Sequence, residues 1–262
     1  MLGVVVGTYG TLVGLGGGFI VVPLLLLLYK LPPPAAAATS LVVVFLNAAS
    51  GSIGYFRKRR VDVRTGVVLA LATIPGALVG PWIGERIDER TFKLAFSIFL
   101  LAMALFLFLK PERSARAARS PARGPGRVHR RFTDLDGETF DYSYNLPLAL
   151  AISLFVGILS SLLGIGGGLV HVPAMIHLMG FPVHVATATS HFVLAITAAV
   201  GVLEYARRGE IAWGLAGSLG LGVVVGAQLG AALSQRMRGR RIVRLLTVAI
   251  VILAGRLLWS LR

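Results

Sequence analysis

Cysteine is absent from the 262 residues, which excludes disulfides, thiolate zinc sites, iron–sulfur clusters and a cysteine nucleophile. Charge is scarce too, at 14% of residues. The acids are Asp62, Glu85, Asp88, Glu89, Glu112, Asp134, Asp136, Glu138, Asp141, Glu204 and Glu210, and all but Glu204 fall in expected loops or at the ends of apolar runs. Cation pumps and proton-coupled carriers place carboxylates inside the helix bundle, and this chain offers almost none there. His-Glu-x-x-His, Gly-x-Ser-x-Gly and P-loop patterns are also missing, so an enzyme has no evident machinery and no cofactor is expected.

Apolar residues fill the space. They make up 56% of the chain and give a mean hydropathy of +0.81, the signature of a membrane protein. The net charge of +15 suggests nucleic acid until the basic residues are located. Eight Lys/Arg against the single acid Glu112 lie between Lys110 and Arg131, as basic loops do on the cytoplasmic side of a bilayer. Lipid, not nucleic acid, is therefore the expected partner. Ala35–Phe56, Thr65–Ile83, Thr91–Leu109, Val183–Ala206, Ile211–Leu233 and Ile242–Leu261 are long enough to span. Two further stretches, Met1–Tyr29 and Leu146–Gly180, are interrupted by Gly-Leu-Gly-Gly-Gly and Gly-Ile-Gly-Gly-Gly and read as broken helices. No basic segment precedes the first apolar run, which argues against a cleavable signal peptide. Repeat 1 starts abruptly at Met1, so residues upstream are expected to complete it.

The chain repeats itself. Gly14–Gly18 with Pro23 matches Gly164–Gly168 with Pro173, Pro32 matches Pro182, and Thr39-Ser40 matches Thr189-Ser190. Tyr55 and Arg57 match Tyr205 and Arg207, while Gly76-Ala77 and Gly80 match Gly226-Ala227 and Gly230, every pair offset by 150. Without gaps, residues 1–112 and 151–262 agree at roughly 30 positions.

The expected organisation is a transmembrane repeat over 1–112, a basic cytoplasmic linker over 113–145 and a second repeat over 146–262. Asp136-Gly137 between alternating apolar residues predicts a β-hairpin within the linker. Basic residues cluster at Arg57–Arg64 in the first repeat but at Arg236–Arg244 in the second, after different spans. If each broken segment is re-entrant and three spans follow, the repeats are inverted and both clusters face the cytoplasm. The expected fold is thus an all-α polytopic membrane protein of two inverted repeats, with both termini outside; eight full spans is the rival.

A helix interrupted within the bilayer exposes main-chain N–H groups that lipid cannot satisfy. Restarting at Gly17-Gly18 or Gly167-Gly168, it would present free donors and the positive end of its dipole to an anion. Gly16, Gly17, Gly18, Gly166, Gly167 and Gly168 are therefore candidate binding residues, with close helix packing as the competing explanation. An alanine at Gly17 or Gly167 is expected to obstruct the anion while sparing the fold. Thr39, Ser40, Thr189 and Ser190 add hydroxyls, and Asn47 and Gln228 add amides, each of which could instead bond a neighbouring helix. His171 and His191 fall inside the matched motifs and could add positive charge or shuttle protons, but repeat 1 has Val21 and Leu41 there. His177, His184 and His191 are spaced by seven, yet Gly180 and Pro182 interrupt the helix, so no metal site is expected.

These doubled motifs make the chain resemble the TauE/SafE family of sulfite and organosulfonate permeases over nearly its whole length. The resemblance implies an inner-membrane carrier that exports a small sulfur oxyanion by alternating access. An anion channel built on the same cradle, or an intramembrane metal-dependent enzyme using His171, His177, His184 and His191, are the rival classes.

Overall fold

The computed structural model describes residues 1–109, 126–233, 248, 251–257 and 259. The expected span Ile242–Leu261 falls largely outside these residues, as does the basic cluster at 236–244 and positions 110–125 of the linker. The elements run α1 (Leu2–Val13), α2 (Gly18–Leu27), α3 (Pro33–Phe56), α4 (Val63–Gly84), α5 (Glu89–Leu109), β1 (Arg127–Thr133), β2 (Thr139–Asn145), α6 (Leu146–Leu163), α7 (Gly168–His177), α8 (Val183–Arg207) and α9 (Trp213–Leu233). Helices α3, α4, α6, α8 and α9 are long and apolar enough to cross a membrane. The chain is a multi-pass helical membrane protein.

Local chemistry sets the boundaries. Pro33 occupies the first turn of α3, where its missing donor costs nothing. Asp62 caps α4 by accepting from the Thr65 N–H at 3.2 Å, and Asn145 caps α6 through the Leu148 N–H at 3.1 Å. The glycine runs break both long apolar segments. Gly14 ends α1 at φ 80°, and the N–H groups of Leu15 and Gly16 fold back onto the Gly10 carbonyl at 2.8 and 3.2 Å. Gly17 then starts α2 at φ 82°, and its counterpart Gly167 starts α7 at φ 73°. A side chain enters that left-handed region at a cost of roughly 1–2 kcal/mol.

The two halves interlock. Helix α1 packs along α9, Gly3 against Leu219 and Gly230 against Thr8 and Leu12, so the two run in the same direction. The equivalent pair α6 and α4 does likewise, Gly157 against Thr73 and Gly80 against Ile158 and Leu162. A methyl group on Gly76 or Gly226 would run into the Leu154 or Val4 carbonyl of the opposite half. The Gly-Ala-x-x-Gly motifs are thus small-residue seams that let helix backbones approach. At the centre α3 crosses its own counterpart α8, Gly51 meeting His191 and Gly201 meeting Leu41, which makes this pair antiparallel. Helix α3 also runs with α9, since Thr39 meets Ala212 and Gly54 meets Ala231. Helices α1 and α3 therefore point the same way. Only residues 28–32 join α2 to α3, so α2 ends beside the start of α3.

The hairpin β1–β2 pairs Arg127 with Asn145 through Thr133 with Thr139. Its turn is tied by Asp134, whose Oδ1 accepts from the N–H groups of Asp136 and Glu138. Phe140, Tyr142 and Tyr144 bury one face against Met175 of α7 and against Met179 and Phe181 beyond it.

Candidate functional site

The two glycine breaks touch. Gly18 lies against the Gly164 carbonyl and Ile165, while Gly168 lies symmetrically against the Gly14 carbonyl and Leu15. Val44 and Leu194, equivalent residues on the crossing helices, press on both Gly16 and Gly166. All six candidate glycines are buried. At the start of α2, the N–H groups of Gly17, Gly18 and Phe19 take no acceptor among the described residues; at α7 the same holds for Gly166, Gly167 and Leu169, while the Gly168 N–H turns to the Gly166 carbonyl at 2.9 Å. These are the donors and the positive dipole ends that an interrupted helix exposes.

The same glycines are tightly packed. A Cβ on Gly17 would stand 2.8 Å from Val6 Cγ1, and one on Gly167 would stand 2.7 Å from Val156 Cγ1. The expectation that alanine there spares the fold is therefore corrected: the methyl group adds a steric clash to a left-handed backbone.

The Thr-Ser pairs sit at 0% exposure, and most of their capacity is already used. Thr39 Oγ1 accepts the Ala212 N–H and Thr189 Oγ1 accepts the Asp62 N–H, both at 3.0 Å, so each threonine staples the start of a distant span. Ser40 donates to the Gly164 carbonyl at 2.7 Å, bridging α3 to the second break. Ser190 Oγ alone has no partner among the described residues.

Around the first break a hydroxyl, an amide and an imidazole form a chain. Thr11 donates to Asn47 Oδ1 at 2.9 Å, and Thr11 Oγ1 lies 3.3 Å from His191 Nε2. Asn47 Nδ2 and His191 Nδ1 are buried and find no partner among the described residues. The Tyr55 ring meets the His191 ring edge-on at 5.7 Å, and its hydroxyl donates to the Thr11 carbonyl at 2.9 Å, as Tyr205 does to Ser161. Sequence reasoning passed over Thr11 and Ser161, although a hydroxyl recurring at the same repeat position was the available signal. Ser160, another unpartnered hydroxyl, lies against Gly167.

Other candidates stand apart. His171 contacts Ser153 at 3.3 Å, and His177 stacks edge-on with Phe106, so these histidines occupy surroundings different from that of His191. Among the described residues, no three or more His, Asp or Glu could hold a metal together. Gln228 is exposed, and its amide donates to the carbonyl and hydroxyl of Ser50 at 2.6 and 2.9 Å, which joins α9 to α3.

Charge gathers at the ends of the bundle. Asp62 accepts Arg130 Nε and Nη2 at 2.8 and 2.7 Å, Tyr142 at 2.7 Å and Thr65 at 2.7 Å. Burial works to raise its pKa, but Arg130, Thr65 and Tyr142 together hold it below the usual aspartate range. Arg60 ties the same loop to the hairpin through Asp134 and Asp136 at 3.0 and 2.8 Å. Beyond α8, Arg208 bridges Glu85 and Glu204. Glu210 is pushed up by burial and by Glu85.

A family model described as "Sulfite exporter TauE/SafE" matches residues 1–257. The probable membrane transporter protein YunE of Bacillus subtilis (strain 168) is 33% identical over 267 residues, covering 99% of this chain and 96% of its own. A probable membrane transporter protein of Xylella fastidiosa (strain Temecula1 / ATCC 700964) is 29% identical over 80% of this chain and 75% of its own. The probable membrane transporter protein YfcA of Escherichia coli (strain K12) is 24% identical over 82% of this chain and 74% of its own. No solved structure matches.

Proposed function

Because the chain belongs to the sulfite exporter TauE/SafE family, we propose that it is a secondary transporter of the inner membrane, exporting a small sulfur-containing oxyanion such as sulfite or an organosulfonate by alternating access. The observation that carries this reading is the meeting of the two glycine breaks, where unbonded N–H groups converge with buried hydroxyl and amide groups. Such a centre favours anions through dipoles alone, without a fixed positive charge that would hold the substrate too tightly for release. The repeats are inverted across the bilayer, each a re-entrant pair followed by three spans, with the hairpin and basic loops in the cytoplasm. The opposite chain directions of α3 and α8 support this arrangement.

Alternating access then consists of the α1–α9 pair rocking against the α4–α6 pair about the α3–α8 crossing, each Gly-Ala-x-x-Gly seam moving as a rigid unit. The test is uptake into proteoliposomes of purified protein, with sulfite, sulfate, sulfoacetate, taurine and matched carboxylates compared. Saturable flux of a sulfur oxyanion, with mutual competition and exchange, is the expected result. Flux linear in concentration would make the protein a channel, and transport confined to carboxylates would overturn the substrate class.

A further inference from the structure

His191 is the clearest departure from symmetry at the first break. Its counterpart in repeat 1 is Leu41, and it is fully buried. The hydroxyl hydrogen of Thr11 is committed to Asn47 Oδ1, an oxygen that can only accept. Toward His191 Nε2, Thr11 can therefore only accept in turn, which places the hydrogen of the neutral ring on Nε2. Nδ1 is left as a lone pair without a hydrogen-bond partner among the described residues. A buried lone pair that no donor faces is open to a proton. An imidazolium buried without a counter-charge is, however, strongly disfavoured.

Among the described residues, the surroundings hold no such counter-charge. Tyr55 from α3 is a neutral phenol meeting the ring edge, and the ring's partner on α1 is Thr11. On α7, His171 is engaged with Ser153. From the α3–α4 loop, Asp62 reaches α8 only through its N–H on Thr189, its carboxylate being taken by Arg130, Tyr142 and Thr65. Arg57 caps the end of α3 as an exposed residue, and Glu204 and Arg207 stand at the far end of α8. The missing negative charge is the substrate itself.

We propose that His191 takes up one proton together with each monovalent oxyanion, so that the loaded carrier moves an uncharged pair. The proton enters Nδ1 from the aqueous phase on the loading side and returns to water on the other side as the anion leaves. Proton and anion strengthen each other's binding by the same factor, as linkage requires. Efflux then removes one acid equivalent per anion and is indifferent to the membrane potential. The substrate class is an oxyanion exported as its acid equivalent.

This inference rests on the carrier reading above, and the experiment separates the two. Proteoliposomes carrying an internal pH dye are clamped at set potentials and given sulfite or methanesulfonate, the latter an anion that carries no proton of its own. Expected is saturable methanesulfonate flux with one proton moved per anion and a final distribution unchanged by potential. His191→Gln keeps a donor for Thr11 but cannot titrate, so its flux should move no protons, and its final distribution should shift about fifty-fold per 100 mV. Saturable wild-type flux that follows the potential by that factor without proton movement overturns the proposal while leaving the carrier intact. Absence of saturable flux for both anions overturns the carrier reading and the proposal with it. Should the glutamine variant fail to fold, the wild-type stoichiometry decides alone.

Discussion

Replacing Gly17 by alanine puts two costs on one methyl group, and the structure separates them. Gly17 sits at φ 82°, and its added Cβ would stand 2.8 Å from Val6 Cγ1 and 3.1 Å from the Val6 carbonyl oxygen. The backbone conformation alone costs roughly 1–2 kcal/mol, and forcing a methyl group into a filled space adds about 1–3 kcal/mol. Gly209 provides the control: its φ is 70°, yet nothing lies within 4 Å of its added Cβ. Gly17→Ala should therefore lower unfolding free energy by about 2–5 kcal/mol, and Gly209→Ala by about 1–2 kcal/mol. Equilibrium unfolding in mixed micelles, followed by circular dichroism, measures both. Equal destabilisation would refute the claim that the break is tightly packed, and would restore the view that its glycines only make room for an anion. Unequal destabilisation means that lost transport in Gly17→Ala is not by itself evidence of anion binding.

Three further outcomes follow from contacts at the site and at the ends of the bundle. Ser40→Ala strips a donor from the Gly164 carbonyl and should cost about 1 kcal/mol of stability, whereas Ser190→Ala removes an unpartnered hydroxyl and should leave stability unchanged; the same unfolding assay compares them. Arg130→Ala leaves the Asp62 carboxylate short of its bidentate partner and should free the hairpin, seen as faster proteolysis between β1 and β2. Since the folded pKa of Asp62 is lowered, its contribution is present above the ordinary aspartate value and lost as pH falls through the folded one, so wild-type hairpin protection should fail only in acid and that of the variant should be insensitive there. Single cysteines at Arg59 and Arg240 should react with an impermeant thiol reagent from the same side of the membrane, and one at Arg86 from the opposite side; labelling of 59 and 240 from opposite sides refutes the inverted arrangement.

The architecture was legible because it is written twice. Glycine runs at identical repeat positions marked the helix breaks, and the apolar lengths marked α3, α4, α5, α8 and α9 to within a few residues. Asp136-Gly137 marked the place where the chain turns between β1 and β2. What the sequence withheld is the direction in which each hydroxyl spends its hydrogen bond. Thr39 and Thr189 look like free donors early in a span, yet their partners lie 173 and 127 positions away, a pairing no local pattern encodes. Asp62 reads in the sequence only as an acid at the end of an apolar run; that it anchors the hairpin through Arg130 depends on a contact 68 positions distant. His191 was visible as an oddity, but its lone pair becomes meaningful only once Thr11 and Asn47 stand beside it.

The interlocking of the halves also sets a schedule for biogenesis. Helix α1 buries its glycines against α9, a helix that begins at Trp213. At a synthesis rate of about 5–20 residues per second, α1 waits roughly 10–40 s for that partner to leave the ribosome. Throughout that interval its interrupted end, with N–H groups that lipid cannot satisfy, has to be sheltered by the insertion machinery. Helix α6 has no such delay, because α4 is already in place when it emerges. Helix α1 is therefore among the last to find its seat, and a chain cut before α9 leaves it without one.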